Sequence, residues 1–138
     1  MNRRSLLKLC AWLTGGGAAA AFAAPPIAAQ ANRSIVLYCD MSVDPAREQE
    51  MLDAFHHHFK PVAEKFDGYI DVKIVKLRKV VQGGPPPPAG VNYRFQLNYE
   101  SEEKRQIWIH SAVHQQAWPM IENTFTDKNY LTLLTDNQ

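Results

Sequence analysis

The segment VNYRFQLNYE, Val91–Glu100, sets Val91, Tyr93, Phe95, Leu97 and Tyr99 in strict alternation with Asn92, Arg94, Gln96 and Asn98. Side chains of a strand point alternately to its two faces, so this is a strand with one apolar and one polar face. Immediately upstream, QGGPPPPAG (82–90) is the one low-complexity tract and, being rich in proline, cannot extend a ladder. Before it, Ile70, Val72 and Ile74 alternate with Asp71 and Lys73; the phase slips at Val75 and resumes at Leu77, which predicts a second strand carrying a bulge.

Working further outward, Ile35–Met41 is apolar in both phases, the pattern of a strand buried on both sides. Asp44-Pro45 supplies a helix N-cap followed by proline at the first helical position. Met51, Leu52, Phe55, Phe59, Val62, Ala63 and Phe66 then recur at intervals of three and four, a long amphipathic helix with a kink at Pro61 and a stop at Asp67-Gly68. On the other side, Ser101 with Glu102 and Glu103 opens a helix with acids at its positive end, running to about Asn123 in one or two pieces. YLTLLT (130–135) closes the chain as a last strand.

The order strand, helix, strand, strand, helix, strand predicts an α+β fold: a ferredoxin-like βαββαβ sheet with two helices on one face. Three of the four strands offer apolar side chains in both directions, and a broad exposed apolar sheet face is rare in a monomer. A second copy packed face to face covers it, which predicts a homodimer closed as a dimeric α/β barrel.

The N-terminal stretch MNRRSLLKLCAWLTGGGAAAAFAAPPIAAQA (1–31) has Arg3, Arg4 and Lys8 ahead of an uncharged run rich in Ala and Gly. That is the charge order of an export signal, and the Arg3-Arg4 pair resembles the twin-arginine type, with leucine where phenylalanine is usual. Gly15–Gly17 and Pro25-Pro26 interrupt the run, so no stable membrane insertion is expected once it is removed. Ala29 and Ala31 provide a cleavage pattern that leaves residues 32–138 as one small domain, periplasmic or secreted. Removal takes three basic residues and no acidic one, leaving 12 basic against 14 acidic side chains. No electrostatic footprint for nucleic acid remains. Cys10 departs with the signal and Cys39 stays alone in an apolar run, so no intramolecular disulfide forms and the thiol reads as buried.

WIHSAVHQQAWP (108–119) holds the candidate chemistry. On one continuous helix, His110, His114 and Trp118 share a stripe beside Ile109, Val113, Ala117 and Ile121. Two readings stay open at this point: a pocket wall where an imidazole exchanges a proton and an indole stacks on a flat substrate, or a packed helix side with a half-buried histidine. No Glu follows His110 as a zinc-protease motif requires, and the consecutive His56, His57 and His58 point about a third of a turn apart, so no metal site is expected.

The segment FQLNYESEEKRQIWIHSAVHQQAWPMIE (95–122) resembles the antibiotic-biosynthesis monooxygenase family of dimeric α/β-barrel proteins. The family pattern is an apolar strand, a short acidic start, a tryptophan, and a histidine a few residues later; Phe95, Trp108 and His114 occupy those places. The resemblance implies oxygen insertion into small aromatic phenols or quinols without metal, flavin or other cofactor, the deprotonated substrate supplying the electrons. It implies His114 as base with His110 as its understudy, Trp108 and Trp118 as aromatic walls, and Asn98 or Arg94 as polar anchors. If the tyrosine face of Val91–Tyr99 meets the helices, Tyr93 or Tyr99 replaces those anchors as the polar tip. The loop 82–90 is longer and richer in proline than the family's usual connection, and an export signal is unusual among its members. Against the oxygenase stands a non-catalytic dimeric module that binds an apolar ligand or serves a stress role.

The export reading makes a direct prediction. Protein recovered from a competent producing host should have a mass short of the full chain by about thirty residues. Arg3→Lys with Arg4→Lys should trap precursor inside, and a full-length mass in the parent would remove the signal.

Overall fold

The computed structural model describes residues 33–84 and 90–138; residues 1–32, with the stretch read as an export signal, and residues 85–89 of the proline-rich loop lie outside the described residues. Four strands, β1 (Ile35–Met41), β2 (Tyr69–Lys76), β3 (Tyr93–Tyr99) and β4 (Leu131–Asp136), form one sheet in the order β2-β3-β1-β4. Each neighbouring pair is antiparallel. The alternation of β3 organises both faces. Tyr93, Phe95, Leu97 and Tyr99 are buried under the helices, opposite Met41, Cys39, Leu37 and Ile35 of β1. Arg94, Gln96 and Asn98 turn to the other face with Asp40, Tyr38 and Val36.

The first helical run, α1 (residues 45–63), is composite. Asp44 Oδ1 accepts from Ala46 N at 2.9 Å, fixing a 3-10 turn at Pro45–Arg47, and an α segment follows at Glu48–Asp53. Ala54–Phe59 then widens to a π segment, with Lys60 N–H donating to Phe55 O five residues back, before α geometry returns at Lys60–Ala63. The expected kink at Pro61 takes this form. A proline ring collides with the carbonyl four residues earlier in an α-helix, and the wider turn directly upstream relieves the collision. Met51, Phe55, Phe59 and Ala63 are all buried along this run.

The second helical layer is two helices, α2 (Glu102–Ile109) and α3 (Ala112–Glu122). Ser101 caps α2, its hydroxyl accepting from Lys104 N at 3.2 Å. Ser111 interrupts the continuous helix considered from sequence by capping α3 in extended backbone, accepting from His114 N at 3.2 Å while its Oγ–H donates to Trp108 O at 2.6 Å. Both caps satisfy donors that a helix start leaves free. The bulge in β2 lies between Tyr69 and Asp71, not at Val75 as the phase slip suggested. Ile70 is the extra residue, and Leu77, which read as the phase resuming, lies past the end of the strand.

The helices cover one face only, and β4 is exposed along its whole length. The result is the ferredoxin-like arrangement expected from the element order. Among the described residues no helix is long and apolar enough to cross a membrane.

Gly68, between α1 and β2, has φ +91°, and a Cβ there would lie 2.6 Å from Lys104 Cδ and 2.7 Å from Lys104 Cβ. Lys104 is fixed by Glu100 at 2.7 Å and Asp67 at 3.3 Å, so it has little room to withdraw. Gly68→Ala should therefore destabilise by roughly 1–3 kcal/mol, read as a lowered urea midpoint. An unchanged midpoint would show that the turn relaxes freely.

Candidate functional site

A cavity of about 310 Å³ lies between the α2–α3 layer and the β3-β1-β4 side of the sheet. Phe59, Trp108 and Trp118 wall it, Leu37, Phe95 and Leu97 rise from the strands, and Arg105, His110, His114 and Tyr130 bring polar atoms to it. Trp108 is fully buried by the last turn of α2. The Ser111 cap sets His114 in the first turn of α3, its ring centroid 5.0 Å from that of Trp108 at 85° between planes. One turn on, Trp118 lies nearly parallel to the imidazole, 11° between planes at 6.3 Å, and Phe59 meets His114 edge-on at 6.0 Å.

His114 Nδ1 and Trp108 Nε1 are buried and have no hydrogen-bond partner among the described residues. Both atoms are shielded, and a buried polar atom left unpaired costs stability, so that cost falls on two of the rings whose side chains line the cavity. Burial pushes the His114 pKa down to about 4, helped by the nearby positive charge of Arg105 and by His110. The imidazole is therefore neutral at pH 7. Its place in the first turn of a helix, at the positive end of the dipole, acts in the same direction.

Arg105 is held by Glu102 through two bonds, Nε to Oε2 at 2.6 Å and Nη2 to Oε1 at 2.7 Å, so its guanidinium stands as a fixed cation beside the cavity. The opposite polar group is a network. Tyr130 O–H donates to Glu122 Oε2 at 2.6 Å, and Trp118 Nε1 donates to the same carboxylate at 3.1 Å and to Tyr130 OH at 3.2 Å. Burial first, then the Glu122 carboxylate, raise the Tyr130 pKa, which keeps its proton in place. Burial also raises the Cys39 thiol to about 12, outweighing the Thr132 hydrogen bond, so this cavity-lining sulfur stays protonated and unreactive.

The structure brings Trp108, His114 and Trp118 together at the cavity. His110 also reaches it, but from the α2–α3 connection, exposed and with Nδ1 2.7 Å from Gln106 O. The other four expected positions lie elsewhere. Arg94 and Asn98 are on the opposite sheet face, the consequence of strand alternation; Arg94 pairs with Asp40 at 2.7 Å and covers the Tyr38 ring at 5.4 Å. Tyr93 and Tyr99 do face the helices, but they sit at the two ends of β3 and do not line the cavity. Tyr93 donates its O–H to Glu48, and Tyr99 is wholly buried.

The polar tip is Tyr130, which sequence reasoning placed only in a last strand. Arg105 and Glu122 were likewise unread. The three-residue step from Glu102 to Arg105 was the available signal for a fixed cation, whereas nothing local to Tyr130 announces its approach to Trp118. The three histidines 56–58 are exposed, His58 beside a separate groove on the outer helical surface. Among the described residues no group of three or more His, Cys, Asp or Glu is placed to hold a metal ion.

No family model and no curated protein sequence matches the chain. Solved structures do share its fold. A protein from Caulobacter crescentus CB15, provisionally named an antibiotic biosynthesis monooxygenase, superposes with a TM-score of 0.61 at 13% identity, over 78% of this chain and 92% of that one. A dimeric ferredoxin-like protein of unknown function from Jannaschia sp. CCS1 gives 0.59 at 13%, over 76% and 98%. A hydroxynitrile lyase from Passiflora edulis gives 0.59 at 8%, over 78% and 95%. The chain thus has the ferredoxin-like fold. Within that class several of its structural neighbours are proteins provisionally named as antibiotic biosynthesis monooxygenases.

The lowered His114 pKa has a stability consequence. Between the ordinary histidine value of 6.5 and about 4, the unfolded chain binds a proton that the folded chain refuses. The stability present above pH 6.5 should therefore fall as pH drops through that window, and His114→Gln should flatten this part of the curve. Urea midpoints of both proteins from about pH 7.5 to 4.5 test it; parallel curves would mean that His114 titrates normally.

Proposed function

We propose that this protein is a cofactor-independent oxygenase of a small phenolic or quinol compound, exported and acting as a homodimer. The observation that carries the reading is His114: a neutral imidazole set between two tryptophans and lining an open cavity. The fold is shared with proteins named as antibiotic biosynthesis monooxygenases, which adds support. The fold alone does not decide the chemistry, since a hydroxynitrile lyase has it too.

The residues define a sequence of steps. A phenol stacks against Trp118 and gives its proton to His114, and Arg105 stabilises the phenolate oxygen. A free imidazole with a pKa near 4 is a weak base. Forming an anion beside it in a dry site raises that value, because the new imidazolium is then paired. The phenolate passes electrons to molecular oxygen, and a carbon–oxygen bond closes at a ring carbon bearing hydrogen. His114 returns its proton to the peroxide, the ring C–H proton leaves, and the oxygen–oxygen bond breaks. One oxygen atom remains as the new carbonyl of a quinone and the other departs as water. The apolar walls keep bulk water from the intermediate.

Oxygen uptake by the purified protein against a panel of hydroquinones and naphthols tests the proposal. His114→Ala should lower the rate by about a hundred-fold or more while costing less than roughly 1–2 kcal/mol of stability. The free-enzyme rate should be sustained above the His114 pKa and fall off on the acid side near 4, well below the usual histidine value. A parent that consumes no oxygen with any of these compounds, or a variant as fast as the parent, would overturn the oxygenase reading.

A further inference from the structure

The charges of residues 32–138 are unevenly placed. Residues 73–84 carry Lys73, Lys76, Arg78 and Lys79 and no acid, while the other 8 basic side chains share the rest of that span with all 14 acidic ones. The cluster falls on the end of the edge strand β2 and on the arm that follows it, residues 77–84. All four cations are exposed. Lys76 pairs with Glu48, whereas Lys73, Arg78 and Lys79 form no ion pair with another described residue.

The same segment is aliphatic. Leu77, Val80 and Val81 stand exposed on it, Val81 at 86%. The arm is tied to the sheet at its root, where Leu77 N–H donates to Asn92 O at 2.8 Å. Its far end stands clear, since a Cβ on Gly83 or Gly84 would meet no described atom within 4 Å. At the root, a hollow of about 310 Å³ sets Lys76, Arg78 and Arg94 beside Val75, Leu77 and Val91. Its one acid, Asp40, is held by Arg94 at 2.7 Å.

Cations interleaved with bare aliphatics suit the boundary between water and lipid, where the charges stay at headgroup level and the aliphatics pass below it. Nucleic acid would answer the charge, but single strands are gripped by aromatic stacking and residues 73–84 contain no aromatic side chain. A protein groove must match the arm in shape, whereas a fluid bilayer need not. We propose that residues 73–84 dock this protein reversibly on an anionic lipid bilayer, with Leu77, Val80 and Val81 entering the boundary between headgroups and acyl chains. A few aliphatics alone bind a membrane weakly, and the basic set supplies the second attraction that a peripheral protein needs. Docking of this kind requires neither oxygen chemistry nor a second copy, and none of residues 73–84 lines the His114 cavity.

Co-sedimentation with vesicles tests this, on protein recovered from the producing host with the same N-terminus in parent and variants. The parent should pellet with vesicles of phosphatidylcholine and phosphatidylglycerol, stay in solution with phosphatidylcholine alone, and be released by salt of about 0.5 M. Arg78→Ala with Lys79→Ala, and separately Val80→Ser with Val81→Ser, should each weaken binding by about tenfold or more while the urea midpoint stays that of the parent. A polarity-sensitive fluorophore on Val81→Cys should brighten when anionic vesicles are added. The same label on Glu103→Cys, exposed at the start of α2, should not; the parent, whose Cys39 is buried, controls for labelling. Equal binding to neutral vesicles would overturn the proposal, as would arm variants that bind like the parent or a Val81 label that stays dark. A parent that ignores vesicles but shifts with duplex DNA would assign the cations to nucleic acid instead and overturn it too. The oxygen-uptake test stands apart from each of these results.

Discussion

Phe59 is the side chain at which every layer of this protein meets. Its ring packs on Phe55 within α1, on Phe95 of β3, on Trp108 of α2, and on His114 and Trp118 of α3, with centroids between 5.5 and 6.2 Å. Four of these five contacts are tilted or edge-on, the arrangement that the ring quadrupole favours. Its direction is set by the π segment that it closes. Met51, Phe55, Phe59 and Ala63 are spaced by four, and on a regular α-helix each step of four drifts about 40° around the axis. A turn wider than 3.6 residues takes out that drift, so all four stay on the buried face. Pro61, which favours the wider turn, thereby helps aim the ring that supports His114.

That support explains how an unfavourable group is held. An imidazole buried among aromatic rings loses hydration, and its charged form loses more, which is why its pKa falls. The orphaned Nδ1 adds a further cost. Both are carried by contacts that are rigid for independent reasons: the Ser111 cap, the fully buried Trp108, and Trp118 tied by its N–H to Glu122 and Tyr130. A group that is expensive to place and firmly placed suits a proton-transfer site, where positioning of the neutral base matters more than its solution basicity.

The fold was legible because its signals are periodic and local. The alternation of Tyr93 to Tyr99 fixes which side meets the helices, and Asp44, Ser101 and Gly68 mark element ends by side-chain or backbone chemistry. The break at Ser111 was open in the sequence because serine caps a helix or rides along one, and only its bonds to Trp108 and His114 decide. The bulge misread at Val75 shows the opposite problem: an edge strand that continues into an exposed apolar arm makes its end look like a change of phase. The aromatic part of the site could be read because Trp108, His114 and Trp118 are near in sequence. Tyr130 could not, since it meets Trp118 across a turn of the chain whose path no local pattern specifies. Arg94 and Asn98 were offered as anchors because their side chains are polar, yet alternation sends polar residues of β3 away from the helical side.

The location of the cavity follows from what the helices leave uncovered. α1 and the α2–α3 layer pack over Phe95, Leu97 and Val72, whereas β4 keeps Leu131, Leu133 and Leu134 in solvent. At that margin the Trp118, Tyr130 and Glu122 bonds require polar atoms to meet, and a helix lying flat on β4 would bury them without room for a ligand. The space beside His114 and the bareness of β4 are thus two results of one choice of helix placement. A protein that leaves an apolar strand bare to keep a cavity open needs another surface to cover that strand. The homodimer proposed above would supply that surface without any further element of sequence.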